Sequence, residues 1–391
     1  MKKDVKDIDI VLLRKRKKRR KQLTRFILFA IAVSFAITAY VKVDEWFPKL
    51  EGIGSRFQSV KSNSNGNSEG NFPLSISGGI DYQVGNLNDY LAILSDAYLY
   101  IYDTDGELYE ERQHAYANAM LQIAGKKVLV YESGGYNFRI DSRRDNIYTK
   151  KLEDTIVFAR ISEDGYTAVI TSSENHVCHL TVFDENGEEI YNRDCVERVI
   201  DVTFTENSKG CILSTSDALN GELVTNLISV SFDSEKDKWK SEAFNTMCLK
   251  TYYDENGIFL IGDTKCAYYN KKGVQEMTYE YPSVLIDWDY SAEGAALLFE
   301  NETKRQSYVT TISSKTKEKY ENEFNVAGSK CIQFAEKYVL VMNKEGINRY
   351  GFKGTNQKTI SSENSYDSFI LIEDYIFLLG YDRIDRIEYV K

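Results

Sequence analysis

Two aspartates flank a tryptophan in the run LIDWDY, and their spacing suggests hydrolytic chemistry. Asp287 and Asp289 occupy alternate positions, so on a β-strand both carboxylates point to the same face. A carboxylate pair beside an aromatic ring suits glycoside hydrolysis, in which one group acts as the acid and the other as base or nucleophile. The alternative is a solvated or hydrogen-bonded strand end, and the acidic, tryptophan-poor composition favours that interpretation.

A second group of reactive side chains is His176, Cys178 and His179. On a strand, His176 and Cys178 would share one face and His179 would point to the other. Zinc and copper sites need convergent ligands, so this spacing indicates the end of a strand with a buried thiol. The six cysteines show no CxxC or other paired spacing, and most lie in apolar runs where cysteine behaves as a small hydrophobe.

Two acidic runs resemble calcium loops but are better explained as turns. DTDG at 103–106 and DENG at 184–187 continue directly into strand-like runs, without the later ligands of an EF-hand. The chain has three histidines and no GxSxG, HExxH or P-loop pattern. The sequence therefore predicts no catalytic, metal-binding or cofactor-binding residues and no cofactor.

Charge is distributed unevenly along the 391 residues. Residues 1–42 carry a net charge of +10 and the remainder carries −20, which together give the overall −10. An acidic body of this kind repels nucleic acid and anionic lipid and favours cationic or neutral partners. We therefore expect no nucleic-acid partner.

The N-terminal region has the pattern of a membrane anchor. Eight consecutive cations, RKRKKRRK, precede the uncharged run FILFAIAVSFAITAYV. Under the positive-inside rule this predicts a basic cytoplasmic tail at 1–22 and a transmembrane signal-anchor helix at 23–43. A Ser/Asn/Gly-rich flexible linker follows at 44–71, and an extracytoplasmic domain at 72–391. A cleaved signal peptide is the alternative, but its small-residue cleavage site is poor.

From residue 72 onward the pattern is strand, turn, strand. Residues 156–194 read as four strands at 156–161, 166–171, 177–184 and 188–192, with a glycine turn between the first two (SEDG) and another between the last two (DENG). Tyrosine and phenylalanine are abundant and proline is rare, which suits strands.

The same plan recurs along the chain with a spacing of about 40 residues, which is typical of a β-propeller. Aligned on their turns, the repeats begin near residues 82, 114, 153, 195, 246, 282, 325 and 364. The fourth is the longest, and its extra residues at 217–225 predict a loop inserted between its second and third strands.

The two ends of the repeat region complement each other. The last unit lacks a fourth strand, and an orphan strand at 72–77 precedes the first unit. We therefore predict an all-β, eight-bladed propeller of four-stranded blades, closed by the N-terminal strand. Two β-sandwich domains are the alternative.

The basic run, the polar linker and the tyrosine-rich four-strand repeats resemble an uncharacterised family of single-pass, membrane-anchored propeller proteins of clostridia and their relatives. More distantly, the repeats are similar to quinoprotein-type and WD40-type propellers, although they lack the Gly-His and Trp-Asp pairs of the WD40 group. The resemblance implies an extracytoplasmic binding or scaffolding role and carries over no functional residue.

Loops on a rigid scaffold are where recognition residues concentrate. Tyr136, Arg139 and Asp217 lie in or beside predicted loops on one face of the ring, so we predict that they contact a partner. The expected function is a non-catalytic binding or scaffold module for a protein or cell-envelope partner. The alternatives are an enzyme acting on an extracellular glycan and a ligand-sensing ectodomain.

Overall fold

The computed structural model describes residues 70–76, 82–301, 306–324, 328–354, 358–361 and 366–389. The predicted tail, anchor helix and nearly all of the predicted linker lie outside these ranges. Within them, no helix combines the length and apolar character that a membrane crossing needs. Regular structure in the described ranges consists of strands and one short 3-10 turn at Glu206–Ser208.

The strands form eight antiparallel four-stranded sheets, which are the blades of a propeller, as the sequence predicts. The strands of blades 1 to 4 are β2 (Gln83–Leu87), β3 (Tyr90–Leu94), β4 (Tyr98–Tyr102), β5 (Leu108–Gln113), β6 (Ala119–Ala124), β7 (Lys127–Glu132), β8 (Asn137–Ser142), β9 (Asn146–Lys151), β10 (Ile156–Ile161), β11 (Thr167–Thr171), β12 (Cys178–Phe183), β13 (Glu189–Cys195), β14 (Arg198–Phe204), β15 (Gly210–Leu219), β16 (Glu222–Ser231) and β17 (Trp239–Lys240). The strands of blades 5 to 8 are β18 (Cys248–Asp254), β19 (Gly257–Gly262), β20 (Lys265–Tyr269), β21 (Gln275–Glu280), β22 (Val284–Ser291), β23 (Gly294–Asn301), β24 (Gln306–Ser313), β25 (Lys319–Phe324), β26 (Cys331–Ala335), β27 (Tyr338–Asn343), β28 (Gly346–Gly351), β29 (Lys358–Ser361), β30 (Ser368–Ile372), β31 (Tyr375–Leu379), β32 (Arg383–Glu388) and, from the start of the described chain, β1 (Leu74–Ser75).

Blade 8 is built from both ends of the chain. Its order is β1-β32-β31-β30, with Leu74 opposite Ile384 and Ser75 opposite Arg383. The predicted closure by an N-terminal strand is therefore confirmed, although the strand is shorter than expected. Closure removes two sheet edges that would otherwise be open.

Eight clusters of buried apolar side chains lie between neighbouring blades, one at each junction of the ring. In β7, for example, Val128 and Val130 pack towards blade 1, whereas Leu129 and Tyr131 pack towards blade 3. Side chains of a strand alternate between its two faces, and in a middle strand both faces are covered by a neighbouring blade. This explains the continuous apolar runs inside second strands, such as residues 128–131 in β7.

The first strand of each blade lies innermost, because first strands of successive blades contact one another. Since neighbouring strands of a blade are antiparallel, connections between second and third strands and between blades share one face of the ring. We call it the loop face, and we call the opposite face, which carries the remaining connections, the turn face. β1 is an outer strand that runs from the turn face, where Asn71 N–H donates to Asp105 C=O at 2.8 Å.

Blade 4 departs from the prediction of an inserted loop at 217–225. β15 and β16 instead pair without a break from Gly210–Ser231 to Leu219–Glu222. Asn220 and Gly221 form the two-residue turn with φ of 54° and 86°, as the Asn-Gly pair of a tight hairpin requires. The extra residues therefore extend a rigid hairpin beyond the blade on the loop face.

Candidate functional site

The inner strands of neighbouring blades run side by side without a complete ladder of backbone hydrogen bonds, and polar side chains bridge them instead. Asp287 Oδ2 accepts a hydrogen bond from Ile332 N–H at 2.9 Å, and Asp289 Oδ2 accepts one from Phe334 N–H at 2.7 Å. The carboxylates thus project from blade 6 onto the backbone of blade 7. This is the hydrogen-bonded alternative of the sequence analysis, realised between two blades.

The two carboxyl groups are also shifted in acidity. Burial raises the pKa of Asp287, against the lowering effect of hydrogen bonds from the backbone of Ile332 and Trp288. Burial raises the pKa of Asp289 further, to about 6, and the neighbouring Asp287 charge adds to the rise. Asp289 therefore exchanges its proton near neutral pH.

A cleft of about 760 Å³ opens in front of this pair, between the inner strands of blades 6, 7, 8 and 1. Its wall includes Trp288, Tyr82 and Tyr381, of which Tyr381 is 69% exposed. Asp367 lies at the rim with an exposed carboxylate that pairs with Lys330 Nζ at 3.2 Å. Volume, aromatic surface and acidity together suit a small polar or cationic group.

A different junction uses the same bridge with cations around it. Asp201 of β14 is fully buried, and its Oδ2 accepts Thr251 N–H of β18 at 2.9 Å. Its Oδ1 lies 2.8 Å from Arg160 Nε and 3.1 Å from Lys250 Nζ. Burial lowers the pKa of Lys250, and the Asp201 carboxylate opposes that shift.

The histidine group is arranged differently from the prediction. β12 begins only at Cys178, so His176 lies in the preceding loop and is free of strand alternation. His176 Nδ1 and His179 Nδ1 both approach Asp194 Oδ1, at 3.5 and 2.8 Å, whereas Cys178 is buried in the core. In the part of the chain that the structure describes, no group of three or more His, Cys, Asp or Glu side chains is arranged to hold a metal ion.

The two acidic runs are turns. Asp103 Oδ1 accepts the N–H groups of Asp105 and Glu107, and Asp184 Oδ1 accepts those of Asn186 and Glu188. The carboxylates therefore close connections on the turn face, as predicted from the turn propensity of these residues.

The predicted contact residues lie on the loop face in two separate places. Tyr136 is half-exposed in the loop between β7 and β8, and Arg139 follows it in β8. Asp217 lies two blades away on the exposed part of the blade 4 hairpin. The guanidinium of Arg139 is occupied within the chain, because it forms a bidentate pair with buried Asp141, at 2.6 Å for both contacts, and donates to Gln113 C=O.

The loop face also carries exposed apolar side chains that sequence reasoning missed. Of the fifteen large hydrophobic side chains exposed in the described part of the chain, ten lie on this face or within three residues of it: Tyr136, Val157, Val177, Val196, Leu219, Leu223, Met247, Val284, Ile286 and Tyr381. The other five lie on the turn face or within three residues of it: Val274 in a connection, and Leu108, Tyr109, Ile147 and Ile190 near the starts of outer strands. With ten of these side chains against five, the loop face is the more apolar of the two and is a candidate interaction surface.

Seven of the ten residues on the loop face lie on blades 2 to 4 or on the connection to blade 5: Tyr136, Val157, Val177, Val196, Leu219, Leu223 and Met247. Hydrogen bonds join the loops of these neighbouring blades. Blade 2 meets the start of blade 3 through Gly134 N–H to Ile156 C=O at 2.8 Å. The blade 4 hairpin meets the next connection through Thr225 Oγ to Thr246 C=O at 2.8 Å. The signal for the hairpin is present in the sequence, since Leu219 and Leu223 flank Asn220-Gly221.

Three solved propellers share the fold. BamB from Moraxella catarrhalis is 12% identical with a TM-score of 0.53, and the match covers 81% of this chain and 100% of that chain. Sqt1 from Saccharomyces cerevisiae is 7% identical with a TM-score of 0.59 over 82% and 100%. Apo AztD from Citrobacter koseri is 10% identical with a TM-score of 0.52 over 74% and 88%. At these identities the similarity shows the fold alone.

No curated protein matches the sequence. The chain belongs to DUF5711, a family of unknown function, whose model matches residues 71–388. The family therefore coincides with the propeller, from its closure strand to the end of β32.

Proposed function

We propose that this member of the DUF5711 family is a non-catalytic binding module that holds a protein partner on its loop face. The observation that carries the proposal is the concentration of exposed apolar side chains on that face. Leu219 and Leu223, each about half-exposed, flank the turn at the tip of the blade 4 hairpin. Each Å² of apolar surface removed from water contributes roughly 25 cal/mol to the free energy of binding. Fully buried side chains near the centre of an interface contribute most, so we expect both leucines to lie there.

The contacts of the acidic pair support binding rather than catalysis. Asp287 and Asp289 each give one carboxylate oxygen to a backbone N–H of blade 7. An acidic side chain held in this way bridges two blades, and that bridge explains its presence without any reaction.

Membrane attachment is part of the proposal. The basic run followed by the apolar stretch at 23–43 would anchor the chain with its N-terminus in the cytoplasm and the propeller outside. The described chain enters the ring on the turn face, beside Asp105. A partner on the loop face would then bind on the side opposite the entry of the tether.

Site-specific photo-crosslinking in cells that make the full chain tests the proposed surface. A crosslinker at Leu223 should give a discrete product, whereas a crosslinker at Val274, equally exposed on the turn face, should give none. The amount of partner that binds the double variant Leu219→Ser/Leu223→Ser should be at least 10-fold lower than the amount that binds the wild type. The amount that binds Val274→Ser should stay within 2-fold of the wild-type amount. Equal products from both faces would refute the assignment.

Protease treatment of intact cells tests the orientation. An extracytoplasmic propeller should be cleaved or released without lysis, whereas a cytoplasmic control protein stays intact. Protection of the propeller until lysis would overturn the proposed topology while leaving the loop-face assignment open to the crosslinking test.

One observation favours a second candidate, an enzyme acting on a glycan. Asp289, with its raised pKa, lies in a cleft beside Trp288 and Asp287, which is the composition of a glycosidase site. If this is the function, Asp289→Asn should reduce hydrolysis of a cell-wall polymer at least 100-fold while partner retention is unchanged. An Asp289→Asn variant with full hydrolytic activity would eliminate the candidate.

A further inference from the structure

Two cysteines that are 17 residues apart in the sequence lie directly opposite each other in blade 3. Cys178 is the first residue of β12, Cys195 is the last residue of β13, and the two are register partners. Both thiols are free, and both side chains are buried in the same core cluster between blades 3 and 4. They therefore point to the same face of the sheet.

The geometry suits a covalent link. Opposed residues of an antiparallel pair have Cβ atoms about 4.5–5.5 Å apart, and a disulfide needs about 3.5–4.5 Å. A small approach of the two strand ends is enough. The two thiols donate to backbone carbonyls, Cys178 to Glu197 C=O at 3.6 Å and Cys195 to Arg193 C=O at 3.7 Å. The neighbouring Cys195 thiol is the main reason why the pKa of Cys178 is lowered, to about 6.

An oxidant can reach the two thiols because of their position in the fold. Strand ends fray before strand centres, and both cysteines are at strand ends on the loop face. Their neighbours Val177 and Val196 are 50% and 72% exposed, so the pair lies one residue from solvent on each strand.

Each of the other four cysteines faces a residue of another type across its strand pairs. Cys211 lies opposite Phe204 and Val230, Cys248 opposite Gly262, Cys266 opposite Ile261 and Tyr279, and Cys331 opposite Met342. All six cysteines of the chain belong to the described residues, so blade 3 is the single place where two of them are paired in register.

We propose that Cys178 and Cys195 are a modification site, which forms an intramolecular disulfide when the protein meets a small-molecule or protein disulfide. The Cys178 thiolate attacks one sulfur of the oxidant, which expels one thiolate and leaves a mixed disulfide. The Cys195 thiolate then attacks the Cys178 sulfur and expels the second thiolate. Two protein thiols are oxidised, the oxidant is reduced to two thiols, and the two protons pass to the leaving thiolates.

The test uses the full chain, purified in detergent under reducing conditions and then incubated with oxidised glutathione. After unfolding and alkylation with N-ethylmaleimide, the wild type should carry four adducts instead of six, with a further loss of 2 Da. Peptide mapping should find residues 178 and 195 linked. Cys211→Ser, which removes a buried thiol from the same cluster, should fall from five adducts to three.

Cys178→Ser and Cys195→Ser should each keep five alkylatable thiols, apart from a fraction carrying one glutathione. Six free thiols in the oxidised wild type, or a disulfide between any other pair, would overturn the proposal. Because the decisive mapping is done on the wild type, instability of a serine variant does not change the outcome of the test.

Discussion

Asp201 and Asp289 perform the same structural task at two junctions of the ring. Each projects from an inner strand and accepts a backbone N–H of the next blade, at 2.9 and 2.7 Å. Their surroundings differ, because Arg160 and Lys250 both contact Asp201. Among the described residues, no lysine or arginine forms an ion pair with Asp289, which lies on the wall of the cleft.

The two junctions therefore contain the same carboxylate bridge in different electrostatic surroundings. At the junction of blades 4 and 5 the carboxylate bridge is accompanied by two ion pairs, from Arg160 and Lys250 to Asp201. A carboxylate that is desolvated without a cation resists ionisation, so the junction of blades 6 and 7 responds to pH. Two further junctions use neutral amides, Gln83 between blades 1 and 2 and Gln333 between blades 7 and 8.

Removing the charge of Asp201 should have the largest effect. Asp201→Asn keeps the shape and one acceptor but leaves two partly buried cations without a counter-charge, which costs about 3 kcal/mol of unfolding free energy, the lower end of the range for fully buried pairs. Urea denaturation at pH 7 measures the loss. The triple change of Asp201, Arg160 and Lys250 to Asn, Met and Met should recover more than half of it, and failure to recover would show that packing, not charge, dominates.

A smaller and pH-dependent effect is expected at the open junction. The folded-state pKa of Asp289, about 6, lies above its ordinary value of 3.8, so ionisation of this group opposes folding. The penalty is absent below pH 4, grows between pH 4 and 6, and is complete above pH 6. Asp289→Asn should therefore gain on the order of 2 kcal/mol relative to wild type between pH 4 and 7.

The control for this comparison is Gln83→Met, whose effect should not change between pH 4 and 7 because an amide does not titrate in that range. Denaturation midpoints of wild type and both variants at several pH values give the answer. Parallel curves for Asp289→Asn and wild type would contradict the idea that the two junctions differ electrostatically.

The neutral bridges should show the smallest changes. Gln83 both accepts from Leu121 N–H, at 2.9 Å, and donates to Ala119 C=O, at 2.8 Å. Gln83→Met leaves both backbone groups without that partner and should cost about 1–2 kcal/mol at any pH. Gln333→Met removes one acceptor from Leu371 N–H and should cost about 1 kcal/mol. A cost for Gln83→Met that varies with pH would break the distinction between charged and neutral junctions.

The ring is predictable because its signals are local. The predicted unit starts at 153, 195 and 246 precede the inner strands β10, β14 and β18 by two to three residues. Strand alternation and glycine turns are readable within about ten residues of sequence. The predicted strand at 156–161 matches β10 at both ends.

The chemistry between blades is not predictable in this way. Asp201 reaches a backbone group 50 residues away, and Asp287 reaches one 45 residues away. Such pairs depend on the stagger of neighbouring blades, which no local pattern encodes. The partner of Arg139, in contrast, is Asp141, two positions along the same strand, and the spacing in FRID is visible in the sequence.

The hairpin of blade 4 is predicted as a loop because the segment is longer than its counterparts in other blades. Asn220-Gly221 is the same turn signal that locates other hairpins, but the residues around it exceed the usual length of a blade, which favours a loop instead. A loop gives no reason to single out Leu219 and Leu223, so their exposure at the end of a hairpin is visible only in the structure.

Closure of blade 8 has a consequence for biosynthesis. Leu74 pairs with Ile384, which leaves the ribosome 310 residues later. At about 5–20 residues per second, the closing strand waits roughly 15–60 s for its partner. During that interval Phe72 and Leu74 are without the blade 8 core that covers them in the finished protein. Two nascent copies held side by side could exchange this strand, so translation speed and spacing on the messenger influence whether rings close singly or in pairs.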